Sequence, residues 1–512
     1  NENMPYDKFV TWQLAGDLLP DQNMETRLAT GFCRNHKITQ EGGVIEEEYR
    51  TEYVADRTNT FGKALLGLTL ECARCHDHKF DPITTKDYYS VSAFFNLVPE
   101  RGFVPNLQTP KPYMAITKAD AEGVLGFLNK NDFFKNENDT LKAMVMEDSL
   151  LKGGRKTFIL ERGQYDRHGA EVTASAPKAV LDFEENHFEK NRLGLANWLF
   201  SKQNPLTARV AVNRVWQEIF GRGLVATSDN FGVQGALPSH PELLDFLAVE
   251  FVESGWDLKK LIKLMVMSAT YQQSSDASKT AIADDPDNIW LARGPRFRLN
   301  YEFIRDAALA SSGLLVQEIG GQSVKPYQPP GIWEAISTEK SADNSRGEFS
   351  YIPDTAARKI YRRSLYTYNR RTIPPPTSLS FDASPRDVCE VRRARTSTPL
   401  QALTELNDVQ ILEASRVLAM HVLQQNPAND AAGIALVFQK ILSRKPTGKE
   451  LSLLKNMFSE SLATFKNKPE KAEKLLKTGR FPQDRSIDAA RSAALMLVAS
   501  TVFNLDEAVV KS

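Results

Sequence analysis

Apolar positions recur at helical spacing along most of this chain. Pro5, behind an Asn3 cap, begins a periodic stretch through Leu19 with Phe9, Trp12 and Leu18 on related faces. Tyr49, Tyr53 and Phe61 predict a helix over residues 45–66, followed by a loop over 69–83. Thr84-Thr85 followed by Asp87 reads as the start of another helix, carrying Tyr88, Val91, Phe94 and Phe95. Asn204-Pro205 opens a helix with Val210, Val212, Val215, Trp216 and Ile219, and Gly221 closes it. Further helices are predicted over 239–254, 258–271, 298–312, 399–423, 431–443 and 488–505.

The breaks in this pattern suggest the organisation. Residues 101–155 are polar and irregular, with Pro105, Pro110 and Pro112 and an Asn- and Lys-rich stretch at 129–138, and read as a linker or insertion. Thr157-Phe158-Ile159-Leu160 and residues 170–174 flank a turn region and predict a short β-hairpin. Residues 320–399 are rich in Pro and Gly and predict a long irregular segment. The expected fold is mainly α: a helical first domain over 1–100, the linker 101–155, and a larger, mostly helical domain over 156–512.

Composition narrows the classes. A length of 512 residues suits several domains, and 42% apolar with 25% charged residues is ordinary for a globular chain. Lys+Arg and Asp+Glu number 64 each, so no net field favours nucleic acid or an acidic membrane surface. The best apolar run, residues 493–503, is too short to span a bilayer, so no membrane span is expected. The opening Asn1-Glu2-Asn3-Met4-Pro5 has no basic or apolar leader and reads as though cut from a longer chain. Four cysteines, Cys33, Cys72, Cys75 and Cys389, are too few for a disulfide scaffold.

Two of those thiols lie in Cys72-Ala73-Arg74-Cys75-His76, the attachment pattern of a c-type haem. Two thiols separated by two residues can add to the two vinyl groups of one porphyrin, and the adjacent histidine then binds iron from below. One covalently attached haem c, held by Cys72 and Cys75 with His76 as proximal iron ligand, is therefore expected. Zinc is the rival, with His78 as a fourth ligand, although adjacent Cys75 and His76 suit one tetrahedral ion poorly. That alternative would make the chain a zinc-binding interaction scaffold. A redox Cys-x-x-Cys lacks its usual strand-to-helix context here.

Several other segments carry a resemblance. Tyr6-Asp7-Lys8-Phe9, Gln13 to Pro20, Ala29-Thr30-Gly31-Phe32, Glu41-Gly42-Gly43, Leu66-Gly67-Leu68-Thr69 and Cys72 to Pro82 resemble the large planctomycete-type cytochrome c family. Asn204 to Trp216, Phe231 to Gly235, Pro326 to Gly331, Arg362 to Tyr366 and Arg392 to Leu403 resemble that family's companion C-terminal domain of unknown function. The resemblance covers nearly the whole chain, weakest over 100–155. It implies a haem domain truncated at its N-terminus, an export signal and often a small cytochrome domain before residue 1, and a periplasmic or extracellular location. It also implies a loose association with polysaccharide.

The remaining candidates follow from that frame. A second axial ligand separates electron transfer from catalysis at an open iron. His36, in Arg34-Asn35-His36-Lys37, is the first choice, against an ordinary loop histidine; Met144 is a weaker one, since Met144-Val145-Met146 reads more readily as packing. His78 and His168 are further candidates, with His78 better suited to support the loop. Asp81-Pro82 reads as turn chemistry. Nine arginines between Arg358 and Arg395, with Tyr361, Tyr366 and Tyr368 among them, make Arg362, Arg363 and Arg393 candidates for haem propionates or an anionic glycan, against internal ion pairing. Nucleic acid is not expected. Cys389 is a nucleophile if those arginines lower its pKa, or else a buried thiol or a partner of Cys33. Gly-rich phosphate loops, nucleophile elbows and His-Glu-x-x-His helices are absent, and Glu184/Glu185 alone carry no glycosidase signal. The expected function is an exported redox protein that passes electrons to a partner protein or small cytochrome domain, or a haem-dependent oxidoreductase acting on an extracellular substrate. The alternative is a glycan-binding or hydrolytic module with a structural or sensory haem.

Overall fold

The computed structural model describes residues 2–39, 42–105, 108–123, 134, 139–148, 154–184, 186–329, 353–369, 371, 374–425 and 429–511. About half of the chain is helical, and its strands pair in short two-stranded sheets, so the fold is mainly α. Two compact units result: Asn1–Pro295 with Arg386–Arg392, and Arg296–Pro385 with Arg393–Ser512.

In the first unit, the helix Thr85–Phe95 starts where its cap predicts. Thr84 and Asp87 form a reciprocal capping box, with the Asp87 amide on Thr84 Oγ1 at 3.1 Å and the Thr84 amide on Asp87 Oδ2 at 2.8 Å. Tyr88, Val91, Phe94 and Phe95 are all buried in one core with Val54, Phe61, Leu70 and Trp198. The neighbouring helix Glu46–Phe61 widens into a π-helical turn, Gly62–Leu66, and stops at Gly67 with φ +62°. Only glycine suits that point, because a Cβ there would stand 2.7 Å from the Phe231 ring.

The described residues between 101 and 155 are built into this unit. Tyr113–Thr117 pairs antiparallel with Thr140–Met144, and Met114, Ile116 and Val145 form a small core with Met24 and Leu28. The Met146 amide donates to Thr30 Oγ1 at 2.8 Å, and Arg34 donates to the carbonyls of Val145 and Lys111, each at 3.2 Å. The hairpin expected after residue 156 is present, with Thr157–Leu160 paired to His168–Val172. Leu160, Val172 and Phe183 close the same core as Tyr88 and Phe94, so 156–295 fold with what precedes them and the compact units part after Pro295. Thr207–Phe220 ends at Gly221 with φ +84°, and with Pro241–Glu253 and Leu258–Val266 encloses a second core around Trp216, Phe251 and Trp256.

The second unit centres on the helices Val409–Gln425 and Ala489–Phe503, whose Ala414, Ala493, Ala494 and Ala499 are buried. Asp430–Leu442, Gly448–Asn467 and Pro469–Leu476 pack on them. The helix predicted over 399–423 is two helices, Pro399–Asn407 and Val409–Gln425, divided at Asp408. The Asp408 carboxylate takes the amides of Gln410 and Ile411 at 2.8 and 3.1 Å and restarts the helix. No helix among the described residues is long and apolar enough to cross a membrane.

Candidate functional site

The pentapeptide lies at a single 3-10 turn, Leu70–Arg74, that buries Leu70 and Ala73 and leaves Cys72, Cys75 and His76 exposed. Arg74 clamps the turn. Its guanidinium donates to Glu52 Oε2 at 2.9 Å, and its carbonyl accepts from the Tyr89 hydroxyl at 2.9 Å. The hydrogen-bonded Glu52 raises the Arg74 pKa, so the clamp stays charged. All four cysteines are free, and Cys75 Sγ donates to the Arg162 carbonyl at 3.4 Å.

The two histidines of the loop face different duties. His76 Nδ1 lies 2.7 Å from the Asp77 carbonyl. A carbonyl oxygen only accepts, so Nδ1 donates to it, and in the neutral ring Nε2 then holds the lone pair. His78 instead organises the backbone: Nδ1 accepts from the Asp81 amide at 2.8 Å and the Phe80 amide at 3.3 Å, while Nε2 lies 3.2 Å from Thr69 Oγ1. With both ring nitrogens engaged, His78 supports the loop. Among the described residues, no group of three His, Cys, Asp or Glu side chains is arranged to hold a metal ion.

Asp81 does more than shape a turn. Its buried carboxylate accepts the Val233 amide at 2.6 Å, and Gly232 rests directly on it, where any Cβ would collide. The Phe231 amide donates to the Gly67 carbonyl at 2.7 Å, and Arg214 donates to the carbonyls of Lys63 and Ala64. Segments far apart in sequence thus hold the loop from one side. Their only sequence signal is that they occur together in order.

The other predicted site residues fall elsewhere. His36 is buried, stacked on Tyr53 at 4.4 Å; its Nδ1 donates to the Lys37 carbonyl at 2.7 Å and its Nε2 accepts from Arg57 at 2.9 Å. Both nitrogens are occupied, so axial ligation by His36 would require these bonds to break. Met144 ends its strand opposite Tyr113, and Met146 is fully buried in the core. His168 stacks on Phe158 at 4.8 Å in the hairpin beside the pentapeptide.

Arg362, Arg363 and Arg393 each have partners within the fold. Arg393 pairs with Glu302 at 2.8 Å, Arg363 with Asp306 at 3.5 Å, and Arg362 donates to the carbonyls of Gln322, Glu318 and Gly320 while lying on the Tyr366 ring. Arg362 is held by carbonyls because it staples an irregular segment whose backbone has few partners of its own. Cys389 is free and its pKa is raised by burial, which Arg214 only partly offsets, so the activated thiol and the bridge to Cys33 are both absent. Glu184 pairs with Lys190 at 2.9 Å. Glu41, Glu185, Pro330, Gly331, Arg370 and residues 129–133 and 135–138 lie outside the described residues.

This is a mainly α protein with an exposed two-thiol, one-histidine loop braced by distant segments. Residues 191–458 match PSD1, described as a protein of unknown function (DUF1553), and residues 1–100 match PSCyt2, a protein of unknown function (DUF1549). The PSD1 match covers just over half of the chain, and the chain belongs to the PSD1 family. Both domains are found in planctomycete-type cytochrome c proteins, and neither match is a haem-attachment domain. No curated protein and no solved structure matches the chain.

Proposed function

We propose that this chain is an exported redox protein carrying one haem c on Cys72 and Cys75, with His76 Nε2 as the proximal ligand. One observation carries the reading: beside two free, exposed thiols, His76 has Nδ1 anchored on the Asp77 carbonyl and Nε2 unengaged. Iron-ligating histidines are typically held in this way, with the second nitrogen donating to a carbonyl or carboxylate. The residues present therefore fit the group. The haem would supply one-electron exchange.

The chain's own residues set the conditions for that chemistry. The Asp77 carbonyl selects the His76 tautomer, and the Arg74–Glu52 pair with the Tyr89 hydroxyl keeps the turn in place. His78 and Asp81 brace the loop, so the thiols and the imidazole are presented on an ordered backbone. Electrons would pass to a partner protein or small cytochrome domain, or be drawn from an extracellular substrate, with a polysaccharide as the class the family association suggests. Attachment of haem to such a motif occurs outside the cytoplasm, hence the periplasmic or extracellular location.

The test is an alkaline pyridine haemochrome spectrum on protein co-expressed with a c-type maturation system, beside Cys72→Ala/Cys75→Ala. A covalent c-type band lost in the double variant is expected. Protein that matures without haem and contains stoichiometric zinc by elemental analysis would overturn the reading.

A further inference from the structure

The helix Pro399–Asn407 is turned inside out. A surface helix ordinarily buries its apolar stripe and shows its polar face to water. Here the two buried side chains are polar, Gln401 and Glu405, while Leu400, Leu403 and Leu406 are 59%, 57% and 43% exposed. The spacing accounts for the two faces. Residues 401 and 405 lie one turn apart on one side, and residues 400, 403 and 406 run along the other.

Specific bonds hold the helix this way round. Gln401 Nε2 donates to the Ser380 carbonyl at 3.0 Å and to Thr396 Oγ1 at 3.1 Å, and the Thr398/Gln401 capping box fixes the first turn. Asn504 donates to the Ala402 carbonyl at 2.7 Å and to Glu405 Oε2 at 3.2 Å. Glu405 Oε1 has no partner among the described residues, and burial pushes the carboxyl up to about 8, so the inward face is largely uncharged at neutral pH. The fold thus keeps an orphaned carboxyl oxygen inside and a stripe of leucine outside. A partner on the leucine face would complete that arrangement.

The outward face has no charge with which to select a partner. Its exposed residues are Pro399, Leu400, Ala402, Leu403, Leu406 and Asn407, and the one ionisable residue of the helix, Glu405, is buried. An acidic or basic partner would find no opposite charge on it, whereas a second copy would meet no like charge. The stripe is also symmetric, with Leu400 and Leu406 each three residues from Leu403. Two antiparallel copies related by a twofold axis at Leu403 would set Leu400 of each against Leu406 of the other. The three leucines and Ala402 expose on the order of 300 Å² of apolar surface, the scale of patches that mark interaction sites. That is enough for the apolar centre of a standard interface of about 800 Å² per partner.

We propose that the chain forms a twofold homodimer through the helix Pro399–Asn407, with the leucine stripe of each copy packed antiparallel on that of the other and Leu403 at the centre. The assignment does not depend on haem.

Sedimentation velocity on the full chain at micromolar concentration tests it, and a dimer is expected. Leu403→Glu should weaken the association about a hundredfold or more, since each unpaired carboxylate would be buried against its own copy. Leu453→Glu, at a leucine 60% exposed on the helix Gly448–Asn467, should leave the dimer intact. Leu403→Lys should be monomeric as well, and mixing it with Leu403→Glu should restore a dimer, because the axis brings the two positions together. If Leu403→Glu does not fold, Leu403→Ser decides the matter in its place. A monomeric wild type, which would leave the stripe to an unlike partner, a dimer that survives substitution of Leu403, or no recovery on mixing would each overturn the assignment.

Discussion

Glu100 in the first unit and Glu405 in the second are buried to the same degree, 4% and 3% exposed, yet their acidities move in opposite directions. Burial raises both. At Glu100 it is outweighed by Arg57 and Arg34: Arg57 donates to Oε2 and Arg34 lies 3.7 Å away, and together they hold the carboxyl down at about 2. Glu405 has no such company. Oε2 accepts one bond, from Asn504 at 3.2 Å, Oε1 has no partner, and the pKa rises to about 8 despite the charge of Arg298. Burial sets the energetic scale for a carboxylate, and the neighbours decide its sign. Glu413 in the second unit is a third arrangement, accepting from the Tyr327 and Tyr361 hydroxyls and the Arg480 and Phe481 amides.

The strongest way to break this comparison is Glu100→Gln. It leaves Arg57 and Arg34 buried without their counter-ion and should destabilise the first unit by about 3–5 kcal/mol, read by denaturant unfolding. Acid should mimic it. The folded pKa of about 2 lies below the ordinary 4.5, so the contribution is complete above about pH 4.5 and is lost as pH falls toward 2. A first-unit transition unchanged from pH 5 to pH 3 would refute the pairing.

Glu405→Gln should act in the opposite sense and more weakly. With a folded pKa near 8 against 4.5, the native carboxyl favours its proton; that stability is complete below pH 4.5 and is lost as pH rises through 8. The variant should be close to neutral at pH 4.5 and stabilising by about 3 kcal/mol at pH 8. Equal effects at both pH values would show that Glu405 is not titrating in the fold. The smallest change is Tyr361→Phe, which removes one of several donors to Glu413, at 3.0 Å. Because the other donors remain, the loss should be about 1.5 kcal/mol in the second-unit transition. A loss matching that of Glu100→Gln would mean that donor number does not buffer a buried carboxylate.

Much of the helical framework was legible in the chain because it rests on neighbours a few residues apart. Thr84 with Asp87 and Gly221 at a left-handed stop are local devices, and both stand where they were read. The helix Gly448–Asn467 has an equally local start, the Thr447/Glu450 box. The strands of the Tyr113–Thr117 hairpin were not, since irregular polar sequence separates the two partners. The arginines between 358 and 395 show the limit of composition: charge density along a chain does not reveal which carbonyls and carboxylates will meet it.

The candidate site divides in the same way. Sequence alone determined the Cys72–Cys75–His76 constellation and the helices on either side, because both depend on residue type and short spacing. Only the tertiary structure decided that His78 turns inward while His76 keeps Nε2 free, that His36 serves Arg57, and that Asp81 holds an amide 152 residues away. It also decided which buried carboxylates are charged. Bonds within a turn are encoded by adjacent residues, whereas the partner of a buried polar group is fixed by which distant segments the cores bring together, and that choice belongs to packing.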